Sequence, residues 1–530
     1  MKHFDSLGLM LDCSRNAVMS VEELKKYITV LNRMGYNQFQ LYMEDTYEIE
    51  GEPFFGYHRG RYTPAELKEL NSFCQNLGVD LVPNIQTLAH LNAIMRWPEY
   101  KEINDCDDIL LVEDEKTYTL IENMLRSLRQ SFTSDKIHIG MDEAHMVGRG
   151  KYMDIHGTRE RSEIFLSHIN RVCALCKKYG FKPMMWSDMF YTLATGGHYD
   201  TATTFNKDIS SKIPDNLTLV YWEYWTSNVK CYDNVIKGHQ SICDRIAFGG
   251  GAIKWVGHTP HNTLSIKSTK AALTSCIKNG IKDVFITSWG DDGAEASAWS
   301  VLPTLCYAAC LANGITKLAD IKQTFKDCTG VSYDDFMLLD LPDRLTDDPV
   351  PNPSKYLLYN DCFMGIFDGN VAPDYAQKYA SYARKLRNAA KRTGEFSYIF
   401  DKAAKLCSLL SVKADLGLRT RKAYLANDKE ALEIVINDYS KAIKKAREFY
   451  TAFKTQWFNE NKPHGFDIQD MRLGGLIMRL ESCKERLIAF KNGEISEIPE
   501  LCDEPMILNE GKPMLFNSYG KSASTNVLSW

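Results

Sequence analysis

The 530-residue sequence contains no run of about 18 apolar residues, the length that a membrane-spanning helix needs. It has no excess of basic residues, because 63 Lys and Arg stand against 68 Asp and Glu. A nucleic acid or an anionic membrane would require a basic face, so we expect neither as a partner. The first five residues, Met1 to Asp5, include no apolar segment like that of a secretory signal. We therefore expect a cytoplasmic protein.

The sequence is also poor in motifs that hold metals or phosphates. Among the 15 cysteines, Cys173 and Cys176 have CxxC spacing, but no second pair stands at the spacing of a zinc site. The triple glycine at 249–251 is not followed by the GK[ST] of a phosphate loop. We therefore interpret the CxxC pair as structural and the triple glycine as unrelated to phosphate binding, and scattered thiols are typical of a reducing compartment.

Short apolar runs alternate with amphipathic helical patterns up to about residue 315. Many helical patterns begin after a capping residue such as Ser20 or Thr63 and end near a glycine such as Gly180. Eight apolar runs are predicted to be strands: 7–11, 38–43, 80–85, 136–140, 183–186, 218–222, 245–249 and 283–288. Eight strand–helix units predict the α/β class and a (β/α)8 TIM barrel.

The pattern changes beyond the predicted barrel. We predict a catalytic barrel at 1–320, a proline-rich connection at 321–355 and a mainly α-helical C-terminal domain at 356–530. Long helical patterns at 372–393, 396–426, 429–458 and 467–492 are typical of a bundle. Such a bundle would either pack beside the barrel or mediate a homodimer.

Barrel enzymes carry their active sites at the carboxyl ends of the strands. Polar and aromatic residues recur there in this chain: Asp12, Arg15, Glu44, Asp45, Gln86, His90, Asp142, Glu143, Trp186, Asp188, Trp222, Tyr224, Trp255, Trp289 and Asp291. The adjacent acids Asp142 and Glu143 directly follow a predicted strand. One acid can protonate a leaving oxygen while the other stabilises positive charge, which is the chemistry of a glycosidase. Trp186, Trp222 and Trp289 would enclose a sugar, with burial in the core as the alternative.

Several of these stretches match a known family in the same order along the chain. The segment His138-Ile139-Gly140-Met141-Asp142-Glu143 resembles the H-x-G-x-D-E signature of glycoside hydrolase family 20, the β-N-acetylhexosaminidases. Residues 9–15 are similar to the family's first-strand motif, which ends in a substrate-binding arginine, and 85–90 to its third-strand motif with a histidine. Residues 186–188 and 288–291 resemble the fifth and eighth strand ends. The resemblance covers residues 1 to about 315.

The resemblance implies an exo-acting, retaining enzyme that removes terminal β-GlcNAc from an oligosaccharide or glycoconjugate, and it leaves β-GalNAc open as a second substrate. The substrate's own 2-acetamido oxygen would attack the anomeric carbon and form an oxazolinium ion, with no metal or cofactor. Asp142 would orient the acetamide, and Glu143 would serve as acid and then as base. Close like charges push two carboxyl pKa values apart, which suits these different duties.

The resemblance also assigns substrate-binding duties. Arg15 would bind sugar hydroxyls, with an ion pair to Asp12 as the alternative. Asp291 would accept from the 4- and 6-hydroxyls, with Asp292 as the alternative. Tyr224 would donate to the attacking acetamide oxygen.

Trp255 would close the pocket or cover the triple glycine. Three further residues would support the acid pair. Asp45 and His90 would form a relay to Glu143, and His138 would be buried support within its strand.

Two other functions remain open from the sequence. The first is a non-catalytic sugar-binding barrel, although such a protein does not need both Asp142 and Glu143. The second is a barrel glycosidase with a two-carboxylate mechanism, acting on sugars without an acetamide. Thiazoline analogues of GlcNAc discriminate here, because they mimic the oxazolinium ion.

Overall fold

The computed structural model describes residues 3–196, 199, 205 and 207–527. The chain forms two compact units. The first comprises Met1–Ala252, Ser265–Trp289 and Thr304–Cys328, and the second comprises Ile253–Leu264, Gly290–Pro303 and Thr329–Trp530. The second unit therefore includes the segments that follow the seventh and eighth barrel strands.

Eight parallel strands close a barrel in the first unit. The strands are β1 (Ser6–Asp12), β2 (Gln38–Tyr42), β3 (Asp80–Asn84), β4 (Lys136–His138), β5 (Lys182–Trp186), β6 (Thr218–Trp222), β7 (Ile246–Gly251) and β8 (Asp283–Ser288). Each strand pairs with the next, and β8 returns to β1 with Asp283 opposite Ser6. The predicted (β/α)8 barrel is confirmed, and the predicted strands 218–222 and 283–288 have the observed bounds.

The barrel strands are buried on both faces. Strand β1 is buried along its whole length, as expected for a parallel sheet that is covered by helices outside and filled by side chains inside. At Gly8 a Cβ atom would lie 2.7 Å from Oε1 of Gln38 on the neighbouring strand. A side chain at this position would therefore have to displace the side chains of Gln38 and Phe285 on the two neighbouring strands.

Helices alternate with the strands, and two of them begin at the predicted caps Ser20 and Thr63. Oγ of Ser20 accepts the N–H of Glu23, and Thr63 and Glu66 form a reciprocal capping box. The helices that precede residue 330 are Val21–Met34, Pro64–Asn76, Asn92–Met95, Glu115–Arg129, Lys151–His156, Arg161–Lys178, Asp188–Thr195, Lys207–Ser210, Val229–Gln240, Asn262–Lys278, Leu302–Ala312 and Leu318–Thr329. A small hairpin of Asn104–Cys106 and Ile109–Leu110 lies outside the barrel sheet.

The second unit is mainly helical, which confirms the predicted α-helical C-terminal region. Its helices beyond residue 330 are Tyr333–Met337, Pro353–Tyr359, Tyr375–Ala390, Ser397–Lys413, Leu416–Leu425, Lys429–Glu460, Phe466–Asn492 and Tyr519–Ala523. Among the described helices, none is both long and apolar enough to cross a membrane.

The structure adds detail to two stretches beyond the barrel strands. The predicted helix 396–426 is interrupted near Asp415 and forms two helices. The predicted proline-rich connection 321–355 contains helical segments, one of which begins at Pro353, because proline is compatible with the first position of a helix. A short 3-10 helix, Leu338–Asp343, accommodates Pro342.

Candidate active site

The acid pair sits on a sharp turn that follows β4. Gly140, Met141 and Glu143 all have left-handed backbone conformations, with φ of 69°, 72° and 52°. At Gly140 a Cβ atom would lie 2.0 Å from Oε1 of Gln86, so a side chain is excluded as well as strained. The amide of Gln86 accepts the N–H of Met141 and thereby holds the turn.

Asp142 is buried and bound on both oxygens. Nε2 of Gln86 donates to Oδ1 at 2.7 Å, and Nε2 of His90 lies 3.1 Å from Oδ2. Burial alone would raise the pKa of Asp142, but the charge and hydrogen bond of His90 and the bond from Gln86 outweigh burial and lower this pKa. Asp142 is therefore ionised at neutral pH.

Glu143 lies in the mouth of the site with its side chain 48% exposed. Partial burial and the neighbouring charge of Asp142 raise its pKa, while His90, His145 and Arg15 oppose the rise. The two adjacent acids thus have pKa values shifted in opposite directions. Such a pair can supply an ionised carboxylate and a protonated acid at the same pH.

His90 connects the two acids. Its Nε2 also lies 3.6 Å from Oε2 of Glu143, and its backbone N–H donates to Oδ2 of Asp108. Burial works against the charged ring, but Asp142 and Glu44 outweigh it and raise the pKa of His90 to about 10. His90 is therefore a cation that neutralises part of the acid pair.

The predicted partner of His90 has a different contact. Nε of Arg59 lies 3.2 Å from Oδ2 of Asp45, a buried carboxylate. The contact of Asp45 is therefore with Arg59. The relay from Asp45 through His90 to Glu143 stays a prediction.

A chain of polar side chains leads from Arg15 to the acid pair. Arg15 pairs with the buried carboxylate of Glu44, which accepts the hydroxyl proton of Tyr42 at 2.8 Å. The Tyr42 oxygen accepts from Nε2 of Gln86, which also donates to Asp142. Sequence reasoning placed Glu44 and Gln86 at the rim but gave them no role, and only their positions after β2 and β3 could have indicated one.

Aromatic side chains of three strand ends gather beside the acids. The rings of Trp222 and Tyr224 stack at 5.1 Å, and Nε1 of Trp289 donates to the Tyr224 hydroxyl at 2.9 Å. Trp289 also meets the edge of Tyr42 at 4.7 Å. Nε1 of Trp222 donates to Oδ1 of Asp188 at 3.4 Å. The structure thus brings together Trp222, Tyr224 and Trp289.

Trp186 and His138 lie deeper in the barrel. Trp186 is 1% exposed, and its ring contacts Trp289 at 6.0 Å and His138 at 4.4 Å. Nδ1 of His138 accepts the N–H of Gly140, and burial lowers the pKa of this histidine to about 3. A neutral His138 supports the turn that carries the acids, while Trp186 forms the layer beneath Trp289.

Two predicted site residues belong to the second unit. Trp255 is buried, and its carbonyl accepts from Nδ2 of Asn517. Asp291 stands beside Asp292, whose carboxylate is bound by Lys355 at 2.7 Å and Arg472 at 3.1 Å. The roles of Trp255 and Asp291 toward a sugar stay predictions, and Asp292, the alternative to Asp291, is engaged by two cations.

One group among the described residues has the spacing of a cation site. The ligand atoms of His90, Asp142 and Glu143 lie within 4.8 Å of one another. The ion pair between a charged histidine and two acids accounts for this spacing without a metal. The CxxC pair has no such character, because Cys173 and Cys176 are buried and burial raises the pKa of Cys173 to about 12.

Comparison with known families agrees with this geometry. A model described as "Glycosyl hydrolase family 20, catalytic domain" matches residues 4–248, and one described as "Glycoside Hydrolase 20C C-terminal domain" matches residues 334–517. The chain belongs to glycoside hydrolase family 20. The family 20 assignment thus extends to the helical region, which the sequence motifs had not covered.

Individual relatives of this family 20 chain are distant. It is 24% identical over 215 residues to a beta-hexosaminidase of Akkermansia muciniphila, covering 34% of this chain and 43% of that protein. It is 20% identical over 231 residues to human hexosaminidase D, covering 42% and 45%. The chain therefore spans less than half the length of these two curated relatives.

Among solved structures, a chitobiase from Flavobacterium johnsoniae is 15% identical, with a TM-score of 0.48. The match covers 94% of this chain and 74% of that one.

Proposed function

We propose that this family 20 chain is an exo-acting, retaining β-N-acetylhexosaminidase that hydrolyses terminal β-GlcNAc by substrate-assisted catalysis, with β-GalNAc as a second candidate substrate. The observation that carries the proposal is the adjacent acid pair, whose pKa values are shifted in opposite directions at the barrel rim. The names of the curated relatives, beta-hexosaminidase and hexosaminidase D, support the same activity.

In the first step the acetamide oxygen of the substrate attacks the anomeric carbon while the bond to the leaving oxygen breaks. Ionised Asp142 accepts the acetamide N–H and stabilises the positive charge that develops on that nitrogen. Glu143 transfers its proton to the leaving oxygen. The products of this step are the free aglycone alcohol and an oxazolinium ion.

In the second step Glu143, now ionised, removes a proton from water as the water oxygen attacks the anomeric carbon. The oxazoline ring opens, and the acetamide is restored with net retention of configuration. Two inversions at the same carbon account for the retention. Glu143 ends the cycle protonated.

The aromatic group supports binding of the acetamide. We assign the Tyr224 hydroxyl, which accepts the indole N–H of Trp289, as the donor to the acetamide oxygen, as the family resemblance implies. Trp222 and Trp289 would cover the acetamide methyl and the sugar face.

The first test is release of p-nitrophenol from the β-GlcNAc, β-GalNAc and β-glucose aryl glycosides. We expect turnover of β-GlcNAc, with or without β-GalNAc, and none of the glucoside. Glu143→Gln and Asp142→Asn should each lower kcat by about 100-fold or more. Glu22→Gln, which changes a side chain that is 78% exposed, is the matched control and should behave as the wild type.

The remaining functions give different results in the same assays. A sugar-binding barrel would bind GlcNAc without product in any variant. A two-carboxylate glycosidase would cleave the glucoside and resist a GlcNAc thiazoline. Competitive inhibition by the thiazoline is the result that we expect.

A further inference from the structure

Asp188 is a buried carboxylate without a role in the steps above. It is the first residue of the helix Asp188–Thr195, directly after β5, and it is 0% exposed. Its Oδ2 accepts the backbone N–H of Glu143 at 2.9 Å, and its Oδ1 accepts the indole N–H of Trp222 at 3.4 Å. One carboxylate therefore joins the acid turn to the aromatic group.

The bond to Glu143 occurs where the backbone is strained. Glu143 has a φ of 52°, a conformation that residues other than glycine adopt at an energetic cost. A hydrogen bond from that residue's own N–H to the buried Asp188 oxygen favours this conformation over a relaxed one. The direction in which the Glu143 side chain leaves the turn therefore depends on Asp188.

We propose that Asp188 is a positioning residue. By binding both the backbone of Glu143 and the indole of Trp222, it fixes the position of the proton-donating Glu143 side chain relative to the Trp222 ring. This inference rests on the proposed function. Asp188 is thus a third carboxylate beside the pair Asp142 and Glu143. Asp188 contacts the backbone of Glu143 rather than its side chain.

The charge of Asp188 also affects the pKa of Glu143. Burial and the charges of Asp142 and Glu143 raise the pKa of Asp188 to about 7, while the bonds from Glu143 and Trp222 oppose the rise. Repulsion between carboxylates is mutual, so Asp188 disfavours ionisation of Glu143 where Asp188 is itself ionised, above about pH 7.

Other charges face Glu143 as well. Asp142 raises its pKa, and His90, His145 and Arg15 lower it. All of these stay in place when Asp188 is substituted, so a change in the pH profile reports the loss of the Asp188 charge.

The test compares Asp188→Asn with the wild type on phenyl and 2,4-dinitrophenyl β-GlcNAc. Asparagine has one acceptor oxygen, so it can keep only one of the two bonds. We expect kcat on the phenyl glycoside to fall about 10- to 100-fold, because phenolate needs a well-placed proton to leave. The dinitrophenyl glycoside, whose leaving group needs no proton, should lose less than about threefold. The alkaline limb of kcat/KM should move to lower pH, because Glu143 loses a negative neighbour.

Two further variants separate the contributions. Asp188→Glu keeps the charge but displaces it, so the alkaline limb should stay while kcat on the phenyl glycoside falls. Trp222→Phe removes the indole bond to Asp188 and reduces the ring that stacks on Tyr224. It should therefore weaken binding of both glycosides alike and leave the ratio of their kcat values as in the wild type.

A folded Asp188→Asn with wild-type leaving-group dependence and pH profile, but a lower Tm, would reduce Asp188 to a structural residue. If that variant does not fold, an Asp188→Glu variant with wild-type kcat on the phenyl glycoside overturns the inference. A wild type that cleaves no β-GlcNAc glycoside would remove the proposed function and this inference together.

Discussion

Gly140 shows how a single residue decides the geometry of the acid pair. Its φ of 69° places it in the left-handed region, and the amide of Gln86 occupies the space of a Cβ atom. Gly180 has a similar φ of 71°, but no atom lies within 4 Å of its would-be Cβ. A side chain at Gly180 would therefore cause backbone strain alone, whereas a side chain at Gly140 would cause backbone strain and a steric clash.

We predict that Gly140→Ala loses most activity, because the methyl group would displace Gln86 from Asp142 and Met141. Gly180→Ala should lower the free energy of unfolding by about 1 kcal/mol, from backbone strain alone, and keep full activity. Urea unfolding and kcat on p-nitrophenyl β-GlcNAc measure both effects. Equal losses in the two variants would contradict the steric argument.

His90 is predicted to set both limbs of the pH profile. Its positive charge lowers the pKa of both Asp142 and Glu143, so His90→Gln should raise both values. We expect the acid and alkaline limbs of kcat/KM to move to higher pH by about one unit or more. This shift is opposite in sign to that expected for Asp188→Asn.

The matched control is His156→Gln, at the end of the helix Lys151–His156. It should leave both limbs in place. If both limbs of the kcat/KM profile of His90→Gln stay at the pH of the wild type, His90 is uncharged in the free enzyme.

At the scale of elements, the strand ends determine which side chains meet. Each barrel strand stops within a few residues of a candidate site residue, and some of the helices that follow start at a cap that is readable in the sequence. Thr63 and Glu66 satisfy each other's backbone N–H groups at the start of Pro64–Asn76. These local features were predictable, because they depend on neighbours three residues apart.

We predict that Thr63→Ala lowers the free energy of unfolding by about 1 kcal/mol, because the helix Pro64–Asn76 loses its capping bond. We expect kcat to stay unchanged, because Thr63 is not one of the candidate site residues. Thr63→Ser keeps the hydroxyl and should retain most of the stability. Urea denaturation measures both, and equal stability of the alanine variant and the wild type would contradict the capping contribution.

At the scale of the whole molecule, buried charges link distant parts of the second unit. Glu295 contacts Lys355 and Arg472, each at 3.0 Å. Burial works against its ionised form, but His258, Lys355 and Arg472 outweigh burial and hold the pKa of Glu295 well below its ordinary value. These contacts join the segment after β8 to helices Pro353–Tyr359 and Phe466–Asn492.

We predict that Glu295→Gln lowers the free energy of unfolding by up to about 3–5 kcal/mol at neutral pH, because Lys355 and Arg472 then keep only Asp292 as a carboxylate partner among the described residues. A depressed pKa stabilises the fold above the unfolded value, about 4.3, and this stabilisation is lost as the pH falls toward the folded value. The difference between variant and wild type should therefore shrink on acidification.

Glu510→Gln is the control within the same unit, since its pair with Lys512 is exposed. Its substitution should cost less than about 1 kcal/mol. A loss in Glu295→Gln as small as in this control, measured by urea denaturation, would contradict the importance of the buried cluster.

The sequence by itself determined the barrel, the acid pair and the order of the rim residues, because strand periodicity, caps and motifs are local patterns. Only the tertiary structure decided which side chains touch. Gln86 bonds to Asp142 across two strands, Asp188 holds a backbone N–H of Glu143, and Asp45 is bound by Arg59. Such contacts join residues that are far apart in the chain, and strand twist and side-chain packing choose among them. No local pattern encodes that choice.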